Sequence, residues 1–271
     1  MFSVSTLDMK YDLNYIELGD PKNKTLVFLH GLGGTLRYWN TGMEKLSKDF
    51  HIIQIDLLGF GDSPQPLKNY TTQKHLLALH SVLKTKGSFI LIGHSLGAML
   101  SIAYTNEYPN KVMGIVLISL PVFDNKKYAY KWMRKTPSGW LMTNIVIAAV
   151  TCVLTRYVAG KLFPYFLKEY PQEVLEDLVK HNFLSSTTSL WNIIYQQSIY
   201  KLLKHINQES FVHLIHSEND VTAPIKAIEN LVNTNKLLTL TKLKTSAHHP
   251  WLWDNETCIN IIKSRLKKIE N

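Results

Sequence analysis

Cysteine is nearly absent from this sequence, with Cys152 and Cys258 the only two. That excludes a disulfide framework and a four-cysteine zinc site, and it fits a reducing compartment. Acidic residues are also short. Against 30 Lys plus Arg stand 21 Asp plus Glu, a formal net charge of +9. The basic residues do not run together, however. The densest group, Lys263, Arg265, Lys267 and Lys268, holds one adjacent pair and is spaced as on a terminal helix. It reads as a solvated basic face, with no nucleic-acid partner expected; a polyanion or membrane contact is the minority reading. The first 20 residues lack a basic region followed by an apolar run, so no secretory signal is expected and the setting reads as cytoplasmic.

Apolar residues make up 45% and charged residues 19% of 271 positions. A chain of this length buries about 70–75% of its unfolded surface, enough for a core without staples. Disordered and collagen-like classes are excluded by composition. Thr136 to Thr155 carries no charge and reaches the length of a membrane span. Its share of Pro, Gly, Ser, Thr and Asn is high for a span, so it is expected to be a buried insertion helix. An interfacial helix touching lipid is the alternative.

The first half of the chain alternates apolar runs with helical patterns. Thr25 to His30, His51 to Ile55, Phe89 to Gly93 and Val112 to Ser119 read as strands buried on both faces, as in a parallel sheet covered by helices. Thr72 to Lys84 and Leu96 to Glu107 read as the intervening helices, the second stopped by Pro109. From Pro121 to about Lys204 no strand is evident. Helical segments are expected near Trp140–Tyr157, Pro171–His181 and Ser189–Leu203. Strand character returns at Ser210–His216 and Leu237–Leu243, around a helix at Ile225–Val232. The fold class is α/β, a mostly parallel central sheet flanked by helices. Residues 1–120 and 205–271 form the expected core domain, and 121–204 a helical cap inserted into it.

Gly93-His94-Ser95-Leu96-Gly97 is a G-x-S-x-G pentapeptide. Chance alone supplies one in a chain this long about one time in ten. Its setting, after one strand and opening a helix, is what a nucleophile elbow requires. A bare glycine-rich turn is the bland alternative. A serine hydroxyl needs a base, and the base needs an orienting acid. Asp220 and His248 follow later strands, which places both at the sheet edge that holds Ser95. Glu218 is the second choice for the acid. His213 and His216 are three apart on a strand and point to opposite faces, and no paired-Cys, H-E-x-x-H, Walker or dinucleotide motif occurs. No metal and no cofactor are expected.

Taken together, these pieces resemble the capped α/β-hydrolase superfamily. The matching segments are Phe28-Leu29-His30-Gly31-Leu32-Gly33-Gly34 with Trp39, Asp56 to Ser63, the Ser95 pentapeptide, Tyr108 to Val112, the loop to Pro224, and Ala247-His248-His249-Pro250. The resemblance implies a triad in the chain order Ser95, Asp220, His248. It also implies an oxyanion hole built from the backbone N–H groups of Leu32 and Leu96. The pattern G-H-x-P maps the base onto His248, with His249 the alternative. Asp56 is read as a structural end-of-strand residue. The sequence departs from the family with Ser217 and Ala247, where glycine is common. A serine at the elbow argues against the branches that use Asp or Cys there.

The implied reaction is hydrolysis of a carboxylic ester or similar acyl bond of a hydrophobic small molecule, through an acyl-enzyme. Carbon–carbon, thioester or lactone hydrolysis and acyl transfer are alternatives on the same triad, and a non-enzymatic ligand sensor is another. The apolar partner is suggested by Tyr128, Tyr130, Trp132, Trp140, Phe163, Tyr165, Phe166, Trp191 and Tyr195 in the insertion, most of them internal packing. A weak membrane-surface contact through the cap belongs to the same expectation.

Overall fold

The computed structural model describes residues 11–123, 125–157, 170–196, 198–206, 210–244 and 247–270, and the side chains of these up to 267. Seven strands form one sheet: β1 (Tyr15–Leu18), β2 (Thr25–Leu29), β3 (His51–Ile55), β4 (Phe89–His94), β5 (Val112–Ile118), β6 (Phe211–Ser217) and β7 (Leu238–Leu243). Their order is β1-β3-β2-β4-β5-β6-β7. β1 runs antiparallel to β3, and every other pair is parallel.

The six apolar runs read from the sequence are the six parallel strands, within a residue at each end. β3 is buried at all five positions and β4 at all six, which is why neither alternates in polarity. β1 was not expected. Its sequence, Tyr-Ile-Glu-Leu, lies on the sheet edge with three exposed positions, so no apolar run announces it.

Helices cover both faces. α1 (Met43–Leu46), α2 (Thr72–Leu83) and α3 (Leu96–Glu107) lie within the first half. Between β5 and β6 the described residues hold α4 (Lys126–Met133), α5 (Pro137–Leu141), α6 (Ile145–Tyr157), α7 (Gln172–Asp177), α8 (Phe183–Ser189) and α9 (Ile199–Leu203), but no strand of the sheet. α10 (Ile225–Thr234) precedes β7, and α11 (Pro250–Trp253) and α12 (Asn255–Glu270) close the chain. α8 continues directly into a π-helical turn at Leu190–Ile194. Phe163, Tyr165 and Phe166 lie outside the described residues.

The core divides into two clusters, one on each face of the sheet. One joins alternate residues of β2 to β5 to α2, α3 and the segment 190–206. The other packs Leu26, Phe28, Ile90 and Ile92 on Trp39, Trp251 and the apolar stripe of α12. On the other side of α12 Lys267 is exposed, and Lys263 pairs with Asp49.

The uncharged stretch differs from expectation. Pro137 and Gly139 sit in the short α5, and a separate helix begins at Ile145. That helix, α6, buries Ala148 and Cys152 but exposes Ile145, Val146, Val150, Val153, Leu154 and Tyr157. It is therefore half-exposed rather than buried. Among the described residues no helix is long and apolar enough to cross a membrane.

Candidate active site

β2 is bonded to β3 on one side and to β4 on the other, so the chain leaves its carboxyl end and that of β4 in opposite directions. Such a switch point opens a crevice at the sheet edge, where α/β folds place their ligands. The loop His30–Gly34 and residue Ser95 meet there.

Ser95 sits between β4 and α3 at φ 51° and ψ −110°, a left-handed conformation unusual for a side chain with a Cβ. The neighbours explain how it is held. Its N–H donates to the Ile118 carbonyl at 2.9 Å. A Cβ on Gly93 would collide with the Gly97 carbonyl, and one on Gly97 with the Leu29 carbonyl. Both glycines are thus required by close approach of strand and helix. Ser95 is buried, with its Oγ 3.1 Å from His248 Nε2.

His248 Nδ1–H donates to Asp220 Oδ2 at 2.8 Å. That bond places the proton on Nδ1 and leaves the Nε2 lone pair facing the serine hydroxyl. Asp220 Oδ1 accepts the N–H groups of Thr222 and Ala223, each at 2.8 Å. Burial by itself would raise the Asp220 carboxyl. The hydrogen bond and charge of His248 and the Ala223 N–H outweigh it and hold the group below the usual carboxylate range. Beneath Asp220 lies His216, whose Nε2–H donates to the Ala223 carbonyl. Burial lowers its pKa and keeps it neutral. Glu218, the alternative acid, is exposed, and the carboxylate bonded to the His248 imidazole is that of Asp220.

His249, the alternative base, is turned away into an aromatic nest of Tyr38, His94 and Tyr170. Burial pushes its pKa down to about 3, and His248 adds to the shift. Ala247 lies at φ 43°, a left-handed backbone that favours glycine, held here by a residue with a Cβ.

Leu96 is the first residue of α3, where an N–H has no partner within the helix. Leu32 lies in the facing loop. A Cβ on Gly31 would stand 3.3 Å from the Ser95 Cβ, so this loop rests against the elbow. His30 braces it: Nε2 accepts from Leu57 N–H at 2.9 Å, and Nδ1–H donates to the Gly31 carbonyl at 2.8 Å. Gly34 N–H closes the turn on the same carbonyl. His94 does a similar job for His248. It stacks on Tyr38 and donates from Nε2–H to the His248 carbonyl at 2.8 Å. Neither role was read from the sequence. Both histidines stood in motifs, but the bonds of His30 to Leu57 N–H and of His94 to the His248 carbonyl reach backbone far along the chain. Asp56 binds Leu36 N–H, Asp62 N–H and Asn14 Nδ2, a loop-tying role.

A cavity of about 170 Å³ adjoins the loop, lined by Leu32 and Gly33 and, from the insertion, by Met142, Ala148, Thr151, Cys152, Thr155, Leu178, His181 and Ser186. Small-molecule sites usually span about 300–1,000 Å³, so this cavity is small by that measure. Cys152 Sγ lies 3.1 Å from His181 Nε2. Burial raises the thiol and lowers the imidazole to about 4, so both are neutral.

A sequence profile described as the alpha/beta hydrolase fold matches residues 24–253. Among curated proteins, the chain is 34% identical over 107 residues to "Probable lysophospholipase BODYGUARD 4" of Arabidopsis thaliana, covering 37% of this chain and 26% of that protein. It is 33% identical over 108 residues to "Lipase 1" of Psychrobacter immobilis, covering 38% and 34%. The matched region is thus about a third or less of the length of these relatives. Among solved structures, a thermophilic esterase from Thermogutta terrifontis superposes with a TM-score of 0.73 at 16% identity, covering 96% of this chain and 95% of that one. With its profile match over most of its length, the chain belongs to the α/β hydrolase fold family.

Proposed function

We propose that the chain is a serine hydrolase that cleaves a carboxylic ester of a hydrophobic small molecule. Ser95 is the nucleophile, His248 the base and Asp220 the orienting acid. The backbone N–H groups of Leu32 and Leu96 form the oxyanion hole. The observation that carries the reading is the unbroken line of hydrogen bonds from Asp220 through His248 to Ser95 at the sheet's switch point. Ester-cleaving relatives support the reaction class, and the apolar cavity beside Leu32 supports a hydrophobic acyl group.

In this reading Ser95 Oγ attacks the ester carbonyl and its proton passes to His248 Nε2. The Asp220 carboxylate stabilises the resulting imidazolium. Negative charge on the former carbonyl oxygen is met by the two N–H donors, a contribution of about 3–4 kcal/mol per donor in enzymes where it has been measured. The tetrahedral species collapses, and the departing alkoxide takes the proton from His248. Water then attacks the acyl-Ser95 carbonyl and gives its proton to His248; collapse of the second tetrahedral species breaks the bond to Ser95 Oγ, which takes that proton back from His248 as the acid leaves. Residues 121–204 act as a cap over the core formed by 1–120 and 205–271, and they bound the acyl pocket.

The test is release of p-nitrophenol from acyl esters of increasing chain length by wild type and Ser95→Ala. Turnover lost in the variant supports the serine mechanism. Cys152→Phe, which fills the cavity, shifts the chain-length optimum downward. A folded wild type inert on every ester removes this reading, in favour of carbon–carbon or lactone cleavage or a ligand sensor.

A further inference from the structure

α6 presents two apolar faces. Ala148 and Cys152 point inward and help line the cavity beside Leu32. On the opposite side Val146 is 67%, Val150 53% and Leu154 55% exposed, with Ile145, Val153 and Tyr157 alongside. Monomeric proteins rarely leave a run of this kind in water. A helix apolar on all sides belongs in a core or against lipid. At 13 residues it is about 20 Å long, well short of the ~30 Å hydrocarbon layer, so it can lie along a bilayer surface but not cross it.

The charges around it are as uneven as its polarity. Between Asn125 and Tyr157 stand Lys126, Lys127, Lys131, Arg134, Lys135 and Arg156, with no Asp or Glu. Elsewhere some cations are matched, Lys45 with Glu256, Lys86 with Glu17, Lys242 with Glu229 and Lys263 with Asp49, and carboxylates are interspersed among the rest. Among the described residues none of the six in this segment has a carboxylate partner. Lys135 Nζ instead lies 3.8 Å over the Trp132 ring. Arg134 and Lys135 share a surface groove with the half-exposed Trp140, on the short helix that links α4 to α6. Unpaired cations, an exposed tryptophan and an aliphatic helix face therefore adjoin one another along α4 to α6.

We propose that this face docks on the surface of an anionic phospholipid bilayer. α6 lies in the headgroup plane with Val146, Val150 and Leu154 inserted, and Lys126, Lys127 and Lys131 of α4, with Arg134 and Lys135 just after it, contact lipid phosphates. A phospholipid leaflet offers both the negative charge and the hydrocarbon that this combination needs. A polynucleotide offers no hydrocarbon for Val and Leu. Because the inner side of α6 borders the cavity, docking brings that cavity next to the leaflet. The source of the acyl substrate as membrane lipid rests on the hydrolase reading above; the docking itself does not.

The test is flotation of the full chain with vesicles of phosphatidylcholine alone or mixed with phosphatidylglycerol. Turnover of a soluble short-chain ester is measured beside it. Wild type and Ser95→Ala float with the mixed vesicles and not with the neutral ones, and raised salt weakens the association. Each of Lys131→Gln and Lys135→Gln weakens binding about fivefold. V150D/L154D abolishes it while leaving soluble-ester turnover unchanged, since both side chains face water. The proposal is overturned if wild type ignores both vesicles, or if V150D/L154D floats as well as wild type. It is also overturned if the apolar face instead drives a concentration-dependent dimer that V150D/L154D dissolves. Floating protein without any ester turnover sinks the hydrolase reading alone.

Discussion

Asp220 is buried, yet its carboxyl is held below the usual carboxylate range because His248 and two backbone N–H groups favour the charged form. The sign of the linkage follows. A lowered folded-state pKa contributes stability above the ordinary carboxylate range, and that contribution is lost as pH falls through the lowered value. Asp220 therefore stays ionised through neutral pH, and in the proposed reaction its protonation is expected to limit turnover only below the usual carboxylate range. Asp220→Asn removes the acceptor that fixes the His248 tautomer, and kcat on soluble esters is expected to fall about 10⁴-fold, as at comparable triads. Steady-state kinetics on the folded variant check it. Ala247 offers a stability test of the same loop. Its φ of 43° costs about 1–2 kcal/mol for a residue with a Cβ, partly offset because glycine loses more entropy on folding. Ala247→Gly is expected to stabilise the protein by about 0.5 kcal/mol, read as a shift in urea midpoint. No gain would mean the loop relaxes around alanine.

At the scale of elements, the elbow depends on β4, α3 and β2 approaching until backbone touches backbone. Gly97 stands against the carbonyls of both Leu29 and His30. Gly97→Ala forces α3 away from β2 and moves Leu96 N–H relative to the His30–Gly34 loop. Ester turnover is expected to drop at least about 100-fold, with a melting temperature lower than wild type. A fully active Gly97→Ala would show that the strand–helix approach is not needed. The insertion helices are less easily read from sequence than the core strands. α5 and α6 appeared as one uncharged segment, because neither the cap at Thr136 nor the break at Thr143–Asn144 interrupts its hydropathy. Half-exposure of α6 was invisible for a related reason: an apolar face looks the same in sequence whether protein, lipid or water lies against it.

Across the whole molecule, one buried charge cluster ties the insertion to the core. Asp177 of α7 is almost fully buried, bonded to the Thr35 hydroxyl and to the Arg37 guanidinium, with Lys180 3.2 Å away. Burial would raise its pKa, but the bonds from Arg37, Thr35 and Lys180 prevail and lower it. This cluster is thus stabilising above the ordinary carboxylate range and is lost on acidification. Asp177→Asn is expected to cost about 2 kcal/mol at neutral pH, less than a fully buried pair because Arg37 retains some solvent contact. The difference from wild type shrinks as the pH is lowered below the usual carboxylate range. Equal denaturation midpoints at neutral pH would remove Asp177 as a tether.

Much of this protein was decided along the chain. Continuous apolar runs specify strands buried on both faces, and the serine between two glycines specifies a tight strand–helix turn, because both are local consequences of burial and backbone sterics. The chain order of Ser95, Asp220 and His248 marked the candidate site for the same reason: each follows a strand. Only the tertiary structure decided between neighbours of like chemistry. His248 faces Ser95 and His249 faces Tyr38 because the left-handed backbone at Ala247 sets the direction of the loop. His30 and His94 became positioning groups because their partners lie 27 and 154 residues away. The exposed edge strand β1, the Asp177 tether and the bare face of α6 likewise depend on which surfaces end up covered, a property of the assembled chain rather than of any segment in it.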